Sequence, residues 1–361
     1  MTIDLDALAE NYRILCGALN GVACAAVVKA DGYGLGARRV IPALAGAGAR
    51  FFFVAQLHEA IEAKACLSGV VGHDVAVLNG LQPGTERGFA DHGILPVLNT
   101  LEEIDRWSAF ARSLERPLPA VLHIDTGMSR LGLPDDELDI LAEDRGRLAG
   151  IELRSVMSHL ACAESPEHPL NAAQLRAFEA ARSRLPKAPA CLANSSGIFL
   201  GPAYHFDLGR PGVALYGVNP TPGRPTPMRQ VVELQGEILQ VRRIDAPTAV
   251  GYGATYRAEG PMRVATVAAG YADGYLRSLS NRGTARIAGQ QVAVVGRVSM
   301  DLITLDVTAV PESAARPGAR VELIGPGHDV DAIAAEAGTI GYEILTSLGR
   351  RYHREYLGGR D

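Results

Sequence analysis

Phe51-Phe52-Phe53-Val54-Ala55 runs straight into Gln56-Leu57-His58-Glu59-Ala60-Ile61-Glu62-Ala63-Lys64-Ala65-Cys66-Leu67, a short apolar run followed by a helical pattern. An unbroken apolar run of strand length is what a parallel strand covered on both faces looks like. The unit recurs along the chain. Strands are expected at Cys24–Lys29, Phe51–Ala55, Asp74–Leu78, Leu95–Leu98, Ala120–Asp125, Glu152–His159, Ala190–Asn194 and His205–Arg210. Helical stretches fall between most of them, at His58–Leu67, Leu101–Leu114, Asp135–Arg147 and Leu170–Leu185. Eight strands in βα alternation predict a closed parallel (β/α)8 barrel of the TIM type rather than an open sheet. An amphipathic helix opens the chain, with Leu5, Leu8, Tyr12, Leu15 and Leu19 at helical spacing.

Beyond Pro220–Pro227, rich in Pro, Gly and Thr, the helical periodicity stops. Short β patterns follow at Val231–Ile244, Arg263–Ala268, Thr284–Ile287, Val292–Val295, Leu302–Asp306 and Arg320–Leu323, with one late helix near Val330–Ala337. The expected organisation is a barrel over residues 1–230 and a mostly β domain over residues 231–361.

The chain has 361 residues, 47% of them hydrophobic, enough for a sizeable core. Its formal net charge of −5 gives no reason to expect nucleic acid or an anionic membrane as partner. No run is long enough for a membrane span, and Met1–Asp6 lacks a secretory start, so a cytoplasmic chain is expected. The five cysteines form no Cys-x-x-Cys pair, and no metal site is expected. Of the 35 basic residues only Lys29, Lys64 and Lys187 are lysine. Arginine cannot form a Schiff base, so lysine chemistry has three candidates.

Functional groups of a parallel barrel collect at the C-terminal ends of its strands. Lys29, Arg130, His159, Asn194, Ser195 and Arg210 fall at or just past such ends. Lys29 closes the run Ala25-Ala26-Val27-Val28, where an apolar setting would lower the amine's pKa and make it a nucleophile toward an aldehyde. Asn194-Ser195-Ser196-Gly197 and Gly209-Arg210-Pro211-Gly212-Val213 follow strands seven and eight, where barrels usually bind phosphate. A Schiff-base lysine beside a phosphate site describes a pyridoxal phosphate enzyme.

Val27-Val28-Lys29-Ala30-Asp31-Gly32-Tyr33-Gly34 resembles the cofactor-lysine motif of alanine racemases. The resemblance continues through Asp125–Gly132, Ser158-His159-Leu160, Ala193-Asn194-Ser195 and Arg210–Gly217, and then through Gly251–Tyr256, Gly270–Tyr275 and Gly296–Asp301. It implies pyridoxal 5'-phosphate on Lys29, and a two-base racemisation of alanine with Lys29 on one face and Tyr252 on the other. The D-alanine would supply peptidoglycan. Tyr252 would come from the partner subunit of a head-to-tail homodimer with shared active sites. An ordinary tyrosine titrates at about 10, so His159 and Arg210 are the expected support for that base, with Arg210 also facing the pyridine nitrogen. The resemblance makes Tyr33, Asn194, Ser195, Gly212 and Val213 cofactor contacts, Arg130, Met300 and Asp301 substrate contacts, and Tyr271, Arg277 and Glu164 residues of the access passage.

The pattern departs in four places. His123 stands where many family members carry a carboxylated lysine, so Arg130 is expected to be oriented by neutral His123 or by a bound anion such as chloride. Arg350 replaces a tyrosine that reaches the phosphate, and Glu164 replaces an aspartate of the passage. The chain also starts later than the resemblance implies, so an edge strand is expected to be missing or the start misassigned. The rivals are a broad-specificity, serine or lysine racemase of the same fold, a related decarboxylase, a single-domain pyridoxal phosphate-binding barrel and a dinucleotide oxidoreductase. The decarboxylase would place a cysteine in the β domain, yet no cysteine lies beyond Cys191; the single-domain barrel would lack the β domain; the oxidoreductase would need an acid where the second strand ends in Ala55-Gln56-Leu57.

Overall fold

The computed structural model describes residues 1–359. Seven parallel strands follow one another in sequence order: Ala26–Val27, Phe51–Val54, Asp74–Val77, Leu95–Leu98, Leu118–His123, Ile151–Met157 and Ala190–Cys191. The eighth, Leu208–Gly209, pairs with Ala23–Cys24. Backbone bonds close the ring on both sides of it. Ala25 N–H donates to Gly209 O at 2.8 Å and Val27 N–H to Pro211 O at 3.0 Å; Asp207 N–H donates to Ala190 O at 3.0 Å and Arg210 N–H to Ala193 O at 2.8 Å. The expected barrel therefore forms, and closure removes the unpaired strand edges. Phe52, Phe53, Val97, Val121 and Leu122 are fully buried, as strands with side chains on one face and helices on the other require.

Three strands are much shorter than the sequence predicts. Cys24–Lys29 breaks at Ala25, and the seventh and eighth strands keep two residues each. At Ala25 the first strand passes from pairing with Leu208–Gly209 to pairing with Phe51–Val54, whereas the seventh and eighth strands turn early into the loops of the C-terminal face. Helices Leu57–Cys66, Leu101–Ser113 and Pro169–Ser183 lie within two residues of expectation. The helix from Asp135 ends at Glu143, because Asp144 turns its side chain onto Gly146 N–H and starts a separate 3-10 turn at Arg145–Leu148.

Helix Leu5–Leu19 begins where the Asp4 carboxylate accepts from Ala7 N–H at 2.8 Å. Its buried stripe of Leu8, Tyr12, Leu15 and Leu19 lies across the join of the last and first barrel strands. Tyr12 donates to Cys24 O at 2.8 Å, and a Cβ on Gly209 would fall 2.7 Å from Leu19 Cδ1. This helix covers the eighth strand, which has no long helix of its own after it. Burying each of those leucines stabilises the join by about 1.5–3 kcal/mol.

The C-terminal part is built around Val232–Ile244, which alternates buried and exposed residues over most of its length. It pairs antiparallel with Met262–Ala268 and Arg320–Ile324. Leu302–Asp306 and the hairpin Thr284–Ile287 with Gln290–Ala293 extend the sheet. One strand crosses the expected division at residue 230. Thr2–Asp4 lies between Val232–Ile244 and Glu355–Leu357, so the first residues belong to the C-terminal sheet. After helix Val330–Ala337 comes a second, Gly341–Ser347, which the sequence reading lacked. It packs back on the loop after Val28: a Cβ on Gly34 would lie 2.5 Å from Leu345 O. Among the described residues no helix is long and apolar enough to cross a membrane.

Candidate active site

A cavity of about 490 Å³ opens at the C-terminal face of the barrel, within the range of small-molecule sites. Lys29, Arg130, His159 and Arg210 line it from four different strand ends or loops, and Tyr33, Asn194, Ser195, Gly212 and Val213 form another part of its wall. His123 and Tyr342 line it as well.

Lys29, expected to close the strand Cys24–Lys29, stands two residues beyond the observed strand Ala26–Val27. From Ala30 to Tyr33 the backbone is left-handed, with φ of 56°, 55°, 62° and 53°. Only Gly32 adopts that conformation without penalty; each of the other three costs about 1–2 kcal/mol. The turn is held from outside. Ala30 N–H donates to Glu59 Oε1 at 2.7 Å, and the Asp31 carboxylate accepts from Ala37 N–H at 2.7 Å. The other Glu59 oxygen accepts from Ala55 N–H at 2.8 Å and Gln56 N–H at 3.0 Å, so one carboxylate ties the Lys29 turn to the next strand end. The Lys29 amine makes no hydrogen bond among the described residues. Burial, then Arg130 and Arg210, lower its pKa, against an opposing pull from Glu59.

Arg210 is 2% exposed, with no carboxylate beside it among the described residues. It donates to Cys191 Sγ at 2.9 Å, Ser158 O at 3.0 Å and His159 Nδ1 at 2.8 Å, and its guanidinium lies over the Phe53 ring. A guanidinium only donates, so His159 Nδ1 is the acceptor and the neutral ring carries its proton on Nε2. Burial, then Arg210 and Arg130, holds His159 well below the usual histidine range, so it stays neutral. A buried cation without a counter-charge is costly unless a ligand meets it.

Across the cavity, Ser195 Oγ accepts from Gly212 N–H at 2.9 Å and Ala214 N–H at 3.3 Å. The Tyr33 ring stacks on Tyr216 at 4.5 Å, and a Cβ on Gly212 would lie 2.3 Å from the Tyr33 hydroxyl, which has no hydrogen-bond partner among the described residues. Only glycine lets the hydroxyl approach so closely. Hydroxyls and small-residue backbone converge here as an anion cradle requires. An unpaired amine, a buried cation and this cradle around one cavity fit pyridoxal 5'-phosphate.

Arg350, expected at the phosphate, is not in this cavity. It lines a separate cleft with Arg38, Arg39 and Arg354. Tyr342, on the helix missing from the sequence reading, stands at the cavity instead, 6.1 Å from Tyr33 between ring centres. Burial, then Glu164, pushes its hydroxyl up to about 12. Glu164 itself is exposed and outside the cavity lining.

Tyr252, Met300, Asp301, Tyr271 and Arg277 also lie away from this chain's own cavity. They sit on the β part, where Tyr271 N–H donates to Ser299 O at 3.0 Å and Ala272 N–H to Met300 O at 3.0 Å. Tyr252 is 73% exposed and Met300 54%, with Tyr271 and Leu302 exposed as well. Asp301 pairs with Arg351 at 2.8 Å.

The sequence reading also missed Glu59 and Asn99. Gln56-x-x-Glu59 at a helix start has the spacing of a capping box, a signal that could have found the first.

Family models described as alanine racemase, N-terminal domain and alanine racemase, C-terminal domain match residues 3–220 and 231–356. An alanine racemase of Rhodospirillum rubrum is 54% identical over 100% of this chain and 96% of that protein. A catabolic alanine racemase of Mesorhizobium japonicum is 52% identical over 99% and 93%. The crystal structure of alanine racemase from Bartonella henselae with covalently bound pyridoxal phosphate superposes with a TM-score of 0.95 at 43% identity, covering 99% of this chain and 98% of that one.

Proposed function

The chain belongs to the alanine racemase family, and from that membership we infer that its cavity interconverts L-alanine and D-alanine, with Lys29 of one copy and Tyr252 of a second copy as the two bases. It is a pyridoxal phosphate-dependent isomerase. When bound, the cofactor draws electrons from the Cα–H bond of the amino acid joined to it. The residues then have distinct tasks. Lys29 Nζ, with its depressed pKa, takes or returns a proton on one face of the planar carbon. Ser195, Tyr33, Tyr342 and the backbone at Gly212 and Val213 hold the phosphate. Arg130, which makes no hydrogen bond among the described residues, takes the substrate carboxylate.

The observation that carries the reading is the Arg210–His159 bond, because it fixes the proton on Nε2 of an imidazole that lines the cavity. Such a donor, backed by a buried guanidinium, stabilises a phenolate brought to it, which a tyrosine base needs. Tyr252 is exposed and does not line its own chain's cavity, so it is not that phenol within one copy. A head-to-tail homodimer would bring it in and cover the apolar face around Met300 and Tyr271, placing Met300 and Asp301 at the partner's substrate and Tyr271, Arg277 and Glu164 along the passage. The D-alanine, made in the cytoplasm, would supply peptidoglycan.

Racemisation is tested by proton NMR of the loaded enzyme with L-alanine in heavy water, beside chiral analysis. Equal L- and D-alanine deuterated at Cα is expected. Mixing Lys29→Ala with Tyr252→Phe chains should restore activity that neither variant has, since a mixed dimer contains one complete site. Full activity of a monomer would defeat the shared-site reading.

A further inference from the structure

His123 ends the strand Leu118–His123 and is buried against the cavity. Its Nδ1 lies 2.8 Å from Asn99 Oδ1. Which atom donates is decided one step away. The Asn99 amide nitrogen lies 2.9 Å from Val97 O and 3.5 Å from Leu78 O, both acceptors, and Asn99 N–H is tied to Glu103 Oε2 at 2.7 Å. A flipped amide would turn its oxygen onto two carbonyl oxygens, so Oδ1 faces the imidazole and His123 Nδ1–H donates. Burial, then Arg210, lowers the His123 pKa to about 3, so the ring is neutral and Nε2 is left as a bare acceptor.

The loop carrying Arg130 passes directly over that edge of the ring. Its start is held by the Asp125 carboxylate, which accepts from the N–H groups of Gly127, Met128 and Ser129. Its end returns through Leu133 N–H to His123 O at 2.9 Å. A Cβ on Gly132 would lie 3.2 Å from His123 Cδ2, the carbon bonded to Nε2. Arg130 thus leaves a loop fixed at both ends, with a guanidinium that has five donors and no acceptor of its own among the described residues.

We propose that Asn99 and His123 are the positioning pair for Arg130: Asn99 fixes the His123 tautomer, and His123 Nε2 is the acceptor that the Arg130 guanidinium, unpartnered among the described residues, meets in the loaded site, where it is aimed at the substrate carboxylate. A neutral acceptor orients the guanidinium without cancelling its charge, which a carboxylate in the same place would do. No bound anion and no carboxylated lysine is needed. The inference rests on the reading of Arg130 as the carboxylate clamp.

The test uses holoenzyme labelled with 15N at histidine, the His123 signals assigned by their loss in His123→Gln. Protonated Nδ1 and bare Nε2 are expected; an Nε2–H tautomer or an imidazolium overturns the proposal. In kinetics, His123→Leu should raise KM for alanine and the inhibition constant of propionate together by about tenfold to a hundredfold, the range for one hydrogen bond to a charged group, with kcat changed far less. His123→Gln, whose amide oxygen can accept, should recover most of the loss, and added bicarbonate should change nothing. If Arg130→Gln weakens propionate but His123→Leu does not, the positioning role fails alone. If Arg130→Gln leaves propionate binding intact, the clamp reading fails first and takes the proposal with it.

Discussion

Glu59 should govern how Lys29 is presented, although it does not touch the cavity. Three non-glycine residues in left-handed conformation after Lys29 cost about 3–6 kcal/mol together. The Glu59 carboxylate offsets this by accepting from Ala30, Ala55 and Gln56 N–H at 2.7, 2.8 and 3.0 Å. Hydrogen bonds to a charged group contribute about 1.5–3 kcal/mol each when buried. Glu59 is only half-buried, so we expect Glu59→Ala to lose about 2–4 kcal/mol of local stability rather than the full sum. Glu59→Gln, which keeps acceptor capacity but loses the charge, should fall between. The loss should appear as faster hydrogen exchange at the Ala30 amide and slower, weaker loading of pyridoxal phosphate onto Lys29. Because Glu59 opposes the lowering of the Lys29 pKa, its removal should lower that pKa further, moving the loading profile to lower pH. Wild-type exchange at Ala30 together with wild-type loading in Glu59→Ala would refute the reasoning.

At the phosphate, Tyr342→Phe should weaken cofactor retention about tenfold, as for one lost hydrogen bond, while Arg350→Ala should not, measured by equilibrium dialysis; the reverse order would return the contact to Arg350. Gly212→Ala should push the Tyr33 hydroxyl out of place and cut cofactor affinity more than Tyr33→Phe does, since the added Cβ would meet that oxygen at 2.3 Å. Changing Arg210 to Glu should lower racemisation and let transamination appear; a variant that still shows no keto acid would count against Arg210 as the group limiting that side reaction. His123 and His159 stay neutral when folded, with pKa values depressed below 6.5. The unfolded chain takes up those protons as pH falls through about 6.5, whereas the folded chain does not. Stability should therefore be complete above that pH and fall by about 1.4 kcal/mol per histidine for each unit below it. Urea midpoints at pH 7.5 and 5.5 measure this, and His123→Gln should flatten the slope.

The barrel was legible because parallel strands covered on both faces leave apolar runs, and the helices between them leave a 3.6-residue period. Those patterns follow from local burial and need no knowledge of distant neighbours. The lysine count left three candidates, of which only Lys29 closes an apolar strand run, and strand ends gathered Arg130, His159, Ser195 and Arg210. Tyr342 was illegible, because helix Gly341–Ser347 is too short to show a period and reaches the cavity only by packing on the turn after Lys29. Arg350, a few residues on, carried the right chemistry but faces another cleft.

The chain alone determined which chemistries were present: one lysine at a strand end, with arginines, a histidine and hydroxyls at the others. The folded chain decided how they are aimed. The left-handed turn at Ala30–Tyr33 is set by Glu59 from the helix that follows the neighbouring strand. The proton on His159 is set by Arg210, and the one on His123 by Asn99, each supplied by another strand. Tautomer, backbone strain and the separation of Tyr252 from its own cavity depend on contacts between residues far apart in sequence, and local pattern carries no record of those.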